Sequence, residues 1–251
     1  MSRTGVIVQA RIGSSRLPGN VLMRLGDRTV LAHVLERCLA ICGINVVCCA
    51  VPDDPADDRV AEEARRSGAE VFRGSETDVL DRYYRAAATF RLDVILRVTA
   101  DCPLLDPGVC GDVLSLRSAA GADYACNNLP PSWPHGLDCE AMTFAWIERA
   151  AHEASRTCER EHVTPFIRTH PAAWRVNLPM PGAGAAQHRW TLDNDRDLRF
   201  LRALVARIPM GRAAWGHALP LAIVEADPSL PAINAGQDRW EGLKRSMSVS
   251  A

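Results

Sequence analysis

The chain has 251 residues, with 29 lysines and arginines against 30 aspartates and glutamates, and 47% of its residues are hydrophobic. These fractions are those of an ordinary globular protein, which excludes collagen-like, coiled-coil and disordered chains. The net charge of −1 argues against a general nucleic-acid or anionic-membrane surface. No apolar run approaches the roughly 20 residues that span a bilayer, and the start of the chain lacks the layout of a signal peptide. We therefore expect a cytoplasmic protein that binds neither nucleic acid nor membranes.

Cysteine and lysine usage restrict the kinds of site that the chain can build. Nine cysteines, an odd number with no C-x-x-C pair, indicate reduced packing residues and not disulfides or a zinc site. The same interpretation is given to Cys102, although it follows Asp101 in a predicted site loop. Because Lys244 is the only lysine, an anion site in the body of the chain must use guanidinium groups and backbone N–H groups.

The first hundred residues alternate short apolar strands with amphipathic helices. Strands are predicted over residues 5–9, 44–51, 70–72 and 93–98. Helices are predicted over residues 30–41, 57–67 and 78–90. Continuous apolar strands joined by helices are typical of βαβ units, so the pattern predicts an α/β fold with a mostly parallel sheet and helices on both faces.

The pattern is less regular after about residue 120. Residues 124–138 form a loop rich in Asn, Pro and Gly, long enough to be functional. Helices are predicted over residues 144–154, 159–169 and 194–208, and strands over residues 174–178 and 188–192. Asp195 and Asp197 are expected to neutralise the N-terminal dipole of the last of these helices. We expect one domain over residues 1–251, with about residues 125–190 as an extension.

The segment after the first predicted strand, residues 10–20 (ARIGSSRLPGN, the first loop), has the composition of an anion site. In an open parallel sheet, ligands bind beyond the carboxyl ends of the strands, where this loop lies. Arg11 and Arg16 can each offer bidentate hydrogen bonds to phosphate. Backbone N–H groups of the turn Gly13, Ser14 and Ser15 can point inward. The loop is neither a Walker A sequence nor G-x-G-x-x-G, and the alternative is a surface turn with two solvated arginines.

Six segments, taken in chain order, resemble one enzyme family. They are VQARIGSSRLPG (8–19), RGSETDVL (73–80), RVTADCPL (97–104), PHGLDCE (134–140), REHVT (160–164) and RWTLD (189–193). Together they resemble the cytidylyltransferases that make CMP-sugar acids, which include the CMP-Kdo and CMP-acylneuraminate synthetases. The greatest similarity is to the spore-coat polysaccharide biosynthesis protein F-like branch.

The resemblance implies a Rossmann-like nucleotidyltransferase fold that transfers CMP from CTP to a sugar acid and releases pyrophosphate, in surface polysaccharide biosynthesis. It implies catalytic roles for Arg11, Arg16, Asp101 and Asp193, with the two aspartates as Mg²⁺ ligands, and a homodimer formed through the extension. The implied CTP-binding set is Ala10, Arg11, Gly13, Ser14, Ser15, Arg16, Asn20, Arg73, Ser75, Asp78, Thr99 and Ala100. Candidates for the pocket of an acidic acceptor are His135, Asp138, Glu140, Arg160, Glu161 and His162. Ser75 or Asp78 could equally cap the helix that follows them.

Position 20 departs from the family pattern, which usually has a lysine against the triphosphate where this chain has Asn20. An amide donates a hydrogen bond but brings no charge, so either a nearby arginine such as Arg24 compensates or the nucleotide chemistry is altered. Three alternatives to a sugar-acid cytidylyltransferase stay open. They are a phosphonate acceptor, a catalytically weakened nucleotide-binding homologue, and a nucleotide-sugar glycosyltransferase for which Asp193-Asn194-Asp195 fits D-x-D.

Overall fold

The fold is built on one seven-stranded sheet and a two-stranded ribbon, in a computed structural model that describes residues 2–14, 16–208, 215–241 and 244. The helices and strands, in chain order, are β1 (Thr4–Gln9), β2 (Arg24–Leu25), β3 (Arg28–Thr29), α1 (Val30–Leu39), β4 (Val46–Pro52), α2 (Asp58–Arg66), β5 (Glu70–Gly74), α3 (Val79–Thr89), β6 (Val94–Thr99), α4 (Pro107–Ala120), β7 (Tyr124–Cys126), β8 (Glu140–Thr143), α5 (Phe144–Glu153), α6 (Thr157–His162), α7 (Pro165–Thr169), β9 (Arg175–Asn177), α8 (Asp195–Val205), α9 (Ala218–Ala226) and α10 (Ser229–Ala232).

The strand order of the large sheet is β5-β4-β1-β6-β8-β7-β9. β5, β4, β1 and β6 are parallel to one another, whereas β8 runs antiparallel to both β6 and β7. The central strands are buried on both faces and carry nearly continuous apolar residues, as a parallel sheet between helices requires. The predicted mostly parallel sheet is confirmed.

Helices cover both faces of this sheet. One core contains Leu31 and Leu35 of α1 with Cys110 of α4, and the opposite core contains Tyr83 of α3 and Ile147 of α5. Parallel connections place the carboxyl ends of β1 and β6 side by side at one edge, with Gln9 paired to Thr99. The segments that follow these two strands are therefore neighbours.

Three predictions for the secondary structure are wrong. The helix predicted over residues 159–169 is two helices, because Val163 has a φ of 71° and Pro165 begins α7. The predicted loop 124–138 begins with the short strand β7. Residues 188–192 are not a strand, since only one bridge joins His135 to Arg189. The helix α4 was not predicted.

Two compositional predictions have a structural counterpart. The nine cysteines, all within the described ranges, are free, and eight of them are buried. Among the residues described, no helix is both long and apolar enough to cross a membrane.

Candidate active site

A cleft of about 300 Å³ opens at the carboxyl ends of β1 and β6. Its walls come from the first loop, the end of β6, the start of α3, the end of α6 and the segment before α8. The residues that line it are Gln9, Ala10, Arg11, Ser14, Arg16, Asn20, Val21, Val79, Arg82, Thr99, Ala100, Asp101, Glu161, His162 and Asp193. The structure thus brings together Arg11, Arg16, Asp101 and Asp193, which are distant in the chain.

The first loop is held in place by backbone hydrogen bonds. The N–H of Ile12 donates to Asp57 Oδ1 at 2.6 Å, and the carbonyl of Ile12 accepts from Ser14 and Gly19, each at 3.0 Å. Gly19 has a φ of 71°, a backbone conformation that residues other than glycine rarely adopt. Arg11 is exposed beside the cleft. Anchoring of the loop backbone therefore places both arginine side chains, Arg11 and Arg16, at the cleft.

Two other predicted members of this loop have different outcomes. Gly13 is exposed and does not line the cleft. Ser15 lies outside the described residues. The prediction that both contribute N–H groups to a triphosphate therefore has no geometric support here.

Asp101 is half-buried where β6 ends. Its Oδ1 accepts a hydrogen bond from the hydroxyl of Thr99 at 2.5 Å, and its backbone carbonyl accepts from the N–H of Leu192 at 2.8 Å. Burial raises the pKa of Asp101, and the negative charge of Asp193 raises it further. This backbone hydrogen bond explains why Asp101 and Asp193 lie near each other, because it joins Leu192, the residue before Asp193, to Asp101.

Asp193 is held by two arginines. Arg16 Nη2 lies 2.5 Å from Asp193 Oδ1, and Arg189 Nη2 donates to Oδ2. The backbone N–H of Asp193 donates to Asp197 Oδ2 at 3.0 Å. Asp193 is therefore a carboxylate with two cationic partners, one of which, Arg16, belongs to the first loop.

The pair Asp101 and Asp193 fits a hard divalent cation. The raised pKa of Asp101 reflects a carboxylate that a bound cation would stabilise, and Mg²⁺ prefers oxygen ligands. The described part of the chain has no group of three or more potential metal ligands. Mg²⁺ is commonly held by one or two carboxylates together with substrate phosphates and water, so these two residues are a sufficient protein contribution.

Asn20 has a structural role at the edge of the cleft. Its Nδ2 donates to the carbonyl of Leu192 at 3.0 Å, and its Oδ1 accepts from the N–H of Val21 at 2.9 Å. The expected compensating Arg24 is elsewhere, since its guanidinium donates to the carbonyl of Asp27 on a different surface. Compensation by Arg24 is therefore not supported.

Arg82 is a cleft residue that sequence analysis missed. It is only 1% exposed, and it lines the cleft from α3. Burial lowers the pKa of its guanidinium, and the nearby Arg11 lowers it further. The sequence offered one signal, a charged residue among the apolar positions of α3. Arg82 and Arg11 both bring positive charge to the cleft, which Asn20 lines without a charge.

The predicted residues on the base side do not line the cleft. Arg73 instead contacts α2, with Nη1 2.6 Å from Asp58 Oδ1. Ser75 Oγ accepts from the N–H of Asp78 at 3.0 Å, and Asp78 Oδ1 accepts from the N–H of Asp81 at 2.9 Å. These are the contacts of helix caps, so the capping interpretation describes Ser75 and Asp78 better.

The predicted acceptor residues divide into two groups. Glu161 and His162 line the cleft, and burial lowers the pKa of His162. The other four do not line it. Arg160 pairs with Asp78, and Asp138 pairs with Arg239 at 2.5 Å. Of the six predicted residues, the two at the end of α6 therefore line the cleft, and the other four contact other side chains.

His135 and Glu140 are explained by their partners. His135 Nδ1 lies 3.1 Å from Arg189 Nη1, and burial lowers the pKa of this histidine to about 4. Glu140 is 2% exposed, and its carboxylate contacts Arg97 at 2.5 Å and Thr164 at 2.8 Å. Glu140 does not line the cleft, because its carboxylate is buried among these partners.

Comparison with known proteins defines the family. The model of the family described as cytidylyltransferase matches residues 5–204. The chain belongs to the cytidylyltransferase family. It is 35% identical to the spore coat polysaccharide biosynthesis protein SpsF of Bacillus subtilis over 205 residues, which cover 79% of this chain and 84% of that protein. The family resemblance drawn from the six segments is confirmed.

Solved structures agree with this cytidylyltransferase assignment. A cytidylyltransferase from Leptospira borgpetersenii has a TM-score of 0.88 at 26% identity, covering 95% of this chain and 100% of that one. CMP:2-keto-3-deoxy-manno-octonic acid synthetase complexed with CTP has a TM-score of 0.62 at 19% identity, covering 82% and 99%. The second similarity is one of fold. The Rossmann-like nucleotidyltransferase architecture is thereby confirmed for this cytidylyltransferase.

Proposed function

We propose that this cytidylyltransferase transfers CMP from CTP to a sugar acid or a related acidic acceptor, with Mg²⁺ as cofactor and pyrophosphate as the second product, in surface polysaccharide biosynthesis. The observation that carries the proposal is the convergence of Arg11, Arg16, Asp101 and Asp193 on one cleft. The relationship to SpsF supports the polysaccharide pathway.

The reaction requires charge neutralisation more than covalent help. An oxygen of the acceptor attacks the α-phosphorus of CTP, and the bond to the β-phosphate oxygen breaks to release pyrophosphate. A divalent ion held by Asp101 and Asp193 would neutralise charge on the triphosphate. Arg11 and Arg16 bind phosphate oxygens, for which a guanidinium offers two parallel N–H donors.

Binding of CTP requires an exchange of partners at Arg16. In the structure its guanidinium is paired with Asp193 Oδ1. A triphosphate takes over this guanidinium, which frees Asp193 Oδ1 for the metal while Arg189 keeps its pair with Oδ2. Bound CTP is therefore expected to strengthen metal binding at Asp193.

His162 provides the acceptor side of the cleft with a neutral group. Because burial lowers its pKa below the ordinary value of 6.5, the imidazole is uncharged at neutral pH. A neutral imidazole can accept a hydrogen bond or a proton from the attacking hydroxyl. Arg11, Arg16 and Arg82 provide the positive field that an acidic acceptor needs.

The test is an assay with CTP, Mg²⁺ and a panel of acids that includes ketosugar acids and phosphonates. Pyrophosphate release with one class of acid, and a product mass equal to the acid plus CMP less water, is the expected result. CTP binding without pyrophosphate release over the whole panel would contradict the proposal and favour a catalytically weakened homologue.

The glycosyltransferase alternative has no support in the site. Asp195 is exposed and does not line the cleft, and the side chain of Asn194 caps α8 by accepting from the N–H groups of Arg196 and Asp197. The D-x-D spacing of residues 193–195 therefore does not place two carboxylates at one ligand.

A further inference from the structure

The last described part of the chain returns to the cleft. Residues 234–241, here called the C-terminal strap, lie beyond residue 204, where the family match ends. The strap nevertheless contacts α8, the loop between β7 and β8, and the first loop. A segment outside the family match thus contacts the first loop, which lines the cleft, and the helix that follows Asp193.

Asp197 is the strap's most buried contact, with no exposed surface. Asn234 Nδ2 donates to Asp197 Oδ1 at 2.9 Å, and Gln237 Nε2 donates to the same oxygen at 3.2 Å. Gln237 Oε1 also accepts from Asn194 Nδ2 at 2.6 Å. Asn234 is itself only 2% exposed. The two amides therefore form part of a built, buried polar cluster.

The carboxylate of Asp197 also holds the segment that carries Asp193. Asp197 Oδ2 accepts from the backbone N–H of Asp193 at 3.0 Å. Asp197 also accepts from Arg189, with Nε 3.0 Å from Oδ1 and Nη2 3.1 Å from Oδ2. Arg189 in turn donates to the side chain of Asp193. Asp197 therefore fixes both the backbone and one cationic partner of Asp193.

The C-terminal end of the strap has anchors of its own. Arg239 Nη2 lies 2.5 Å from Asp138 Oδ1, and its Nη1 donates to the carbonyl of Trp133 at 3.0 Å. Glu241 Oε2 lies 3.3 Å from Nη1 of Arg16. These contacts fix the end of the strap that follows the two amides, which helps to keep the amides against Asp197.

We propose that the C-terminal strap supports the active site from outside the cleft, and that Asn234 and Gln237 are positioning residues that hold Asp193 in place through Asp197. The inference rests on the proposed metal-binding role of Asp193. Residues that orient a metal ligand from behind it commonly change metal affinity by 10–100-fold when they are lost. The strap amides act one residue further away, so the lower end of this range, about 10-fold, is expected.

The experiment compares binding to the wild type, Asn234→Ala and Gln237→Ala. Calorimetry measures CTP binding without metal, and the electron paramagnetic resonance signal of free Mn²⁺ measures metal binding in the presence of CTP. We expect the metal-free affinity for CTP to change less than 2-fold, whereas the Kd of Mn²⁺ rises about 10-fold. In turnover assays, excess metal should restore kcat, since the loss lies in metal binding.

The matched control is Asp227→Asn, an exposed position between α9 and α10 that pairs with Arg207 away from the cleft. It should leave both affinities unchanged. The inference would be overturned if both strap variants bind Mn²⁺ with the same Kd as the wild type. If Asn234→Ala does not fold, Gln237→Ala at its half-buried position decides alone. A wild type that binds no Mn²⁺ with CTP would overturn the proposed function, and the inference with it.

Discussion

At the scale of single residues, Asp101 shows how the proposed function costs stability. Its carboxylate is half-buried beside a second carboxylate, and both features raise its pKa above the ordinary value of 3.8. The ionised form is therefore less favourable in the folded chain than in the unfolded chain. A divalent cation at the proposed metal site would offset this cost.

Asp101→Asn is expected to stabilise the metal-free protein and to abolish turnover. The neutral amide keeps an oxygen that can accept from Thr99, but it removes the buried charge and the repulsion from Asp193. Thermal unfolding should show a Tm higher by about 2–4 °C, which corresponds to ~1 kcal/mol for a chain of this size. Addition of Mg²⁺ with CTP should raise the Tm of the wild type only.

The pH dependence of this difference has a defined sign. A carboxyl whose folded pKa is raised binds its proton more tightly when folded, so its effect lowers stability as the pH rises through that pKa. The advantage of Asp101→Asn should therefore be full at neutral pH and vanish in acid. An advantage that grew as the pH fell would contradict the assigned cause.

Asn20 offers a second test at this scale. Its amide bonds join the first loop to Leu192, the residue before Asp193. Asn20→Ala leaves the buried carbonyl of Leu192 without this donor, which should lower the free energy of unfolding by about 1–3 kcal/mol. Denaturant unfolding measures it, with the exposed Asn45→Ala as control. Equal losses in the two variants would show that Asn20 has no special structural role.

At the scale of elements, one buried ion cluster joins the sheet to α7. Glu140 of β8 contacts Arg97 of β6 at 2.5 Å, lies 4.0 Å from Arg168 of α7, and accepts from the hydroxyl of Tyr124 in β7. The two arginines lower the pKa of Glu140 despite its burial. The cluster lies behind the cleft, because Arg97 Nη2 donates to Gln9 Oε1 at 3.1 Å and Gln9 lines the cleft.

Glu140→Gln should destabilise the chain by about 3–5 kcal/mol, because it leaves Arg97 and Arg168 without their buried counter-charge. The exposed Glu153→Gln, which breaks only a surface pair with Arg149, should cost less than about 1 kcal/mol. Chemical denaturation of both variants measures the difference. Similar losses in the two variants would contradict the role of the cluster.

The pH dependence here has the opposite sign to that of Asp101. A depressed folded pKa means that the stabilisation by Glu140 is present above its ordinary value of 4.5 and is lost as the pH falls through the folded value. Wild-type stability should therefore decline in acid more steeply than that of Glu140→Gln.

The elements themselves were largely predictable from local sequence. The strands β1, β4, β5 and β6 follow from apolar runs, since a parallel sheet buries both faces. The helix predicted over residues 159–169 is interrupted at Val163, which has a φ of 71°, and a second helix begins at Pro165. Periodicity shows which face is buried, but it does not show where a helix is interrupted.

Residues that line the cleft were predictable where family motifs and the carboxyl-end rule coincide, as at Arg16 and Asp101. It was not predictable where a side chain chooses a distant partner. Glu140 stands inside a matching segment, yet Arg97 is its partner across the sheet. Arg239 reaches Asp138 from 101 positions away. Such pairs depend on the three-dimensional course of the chain, which spacing within a motif does not encode.

At the scale of the whole molecule, β5 and β9 are the two edge strands of the large sheet. The edge formed by β9, which pairs with β7, carries exposed apolar side chains. Of the three large apolar side chains exposed within the described ranges, two lie at this edge. They are Trp174 at 58% exposed and Leu129 at 36% exposed, next to Asn177 of β9. An edge strand with exposed apolar side chains favours pairing with another chain.

We predict that this edge joins two copies of the chain, as the family resemblance implies for the extension. Sedimentation should give twice the chain mass of 27.4 kDa. Trp174→Asp should shift the population to monomer, because a charge replaces the apolar contact while the backbone bonds of Trp174 to Asp123 stay intact. Leu39→Asp, at a side chain 48% exposed at the end of α1, is the matched control and should leave the dimer unchanged. The prediction would be contradicted if the wild type sediments as a monomer at every concentration, or if the dimer survives Trp174→Asp. Either result would show that the β9 edge has no role in assembly.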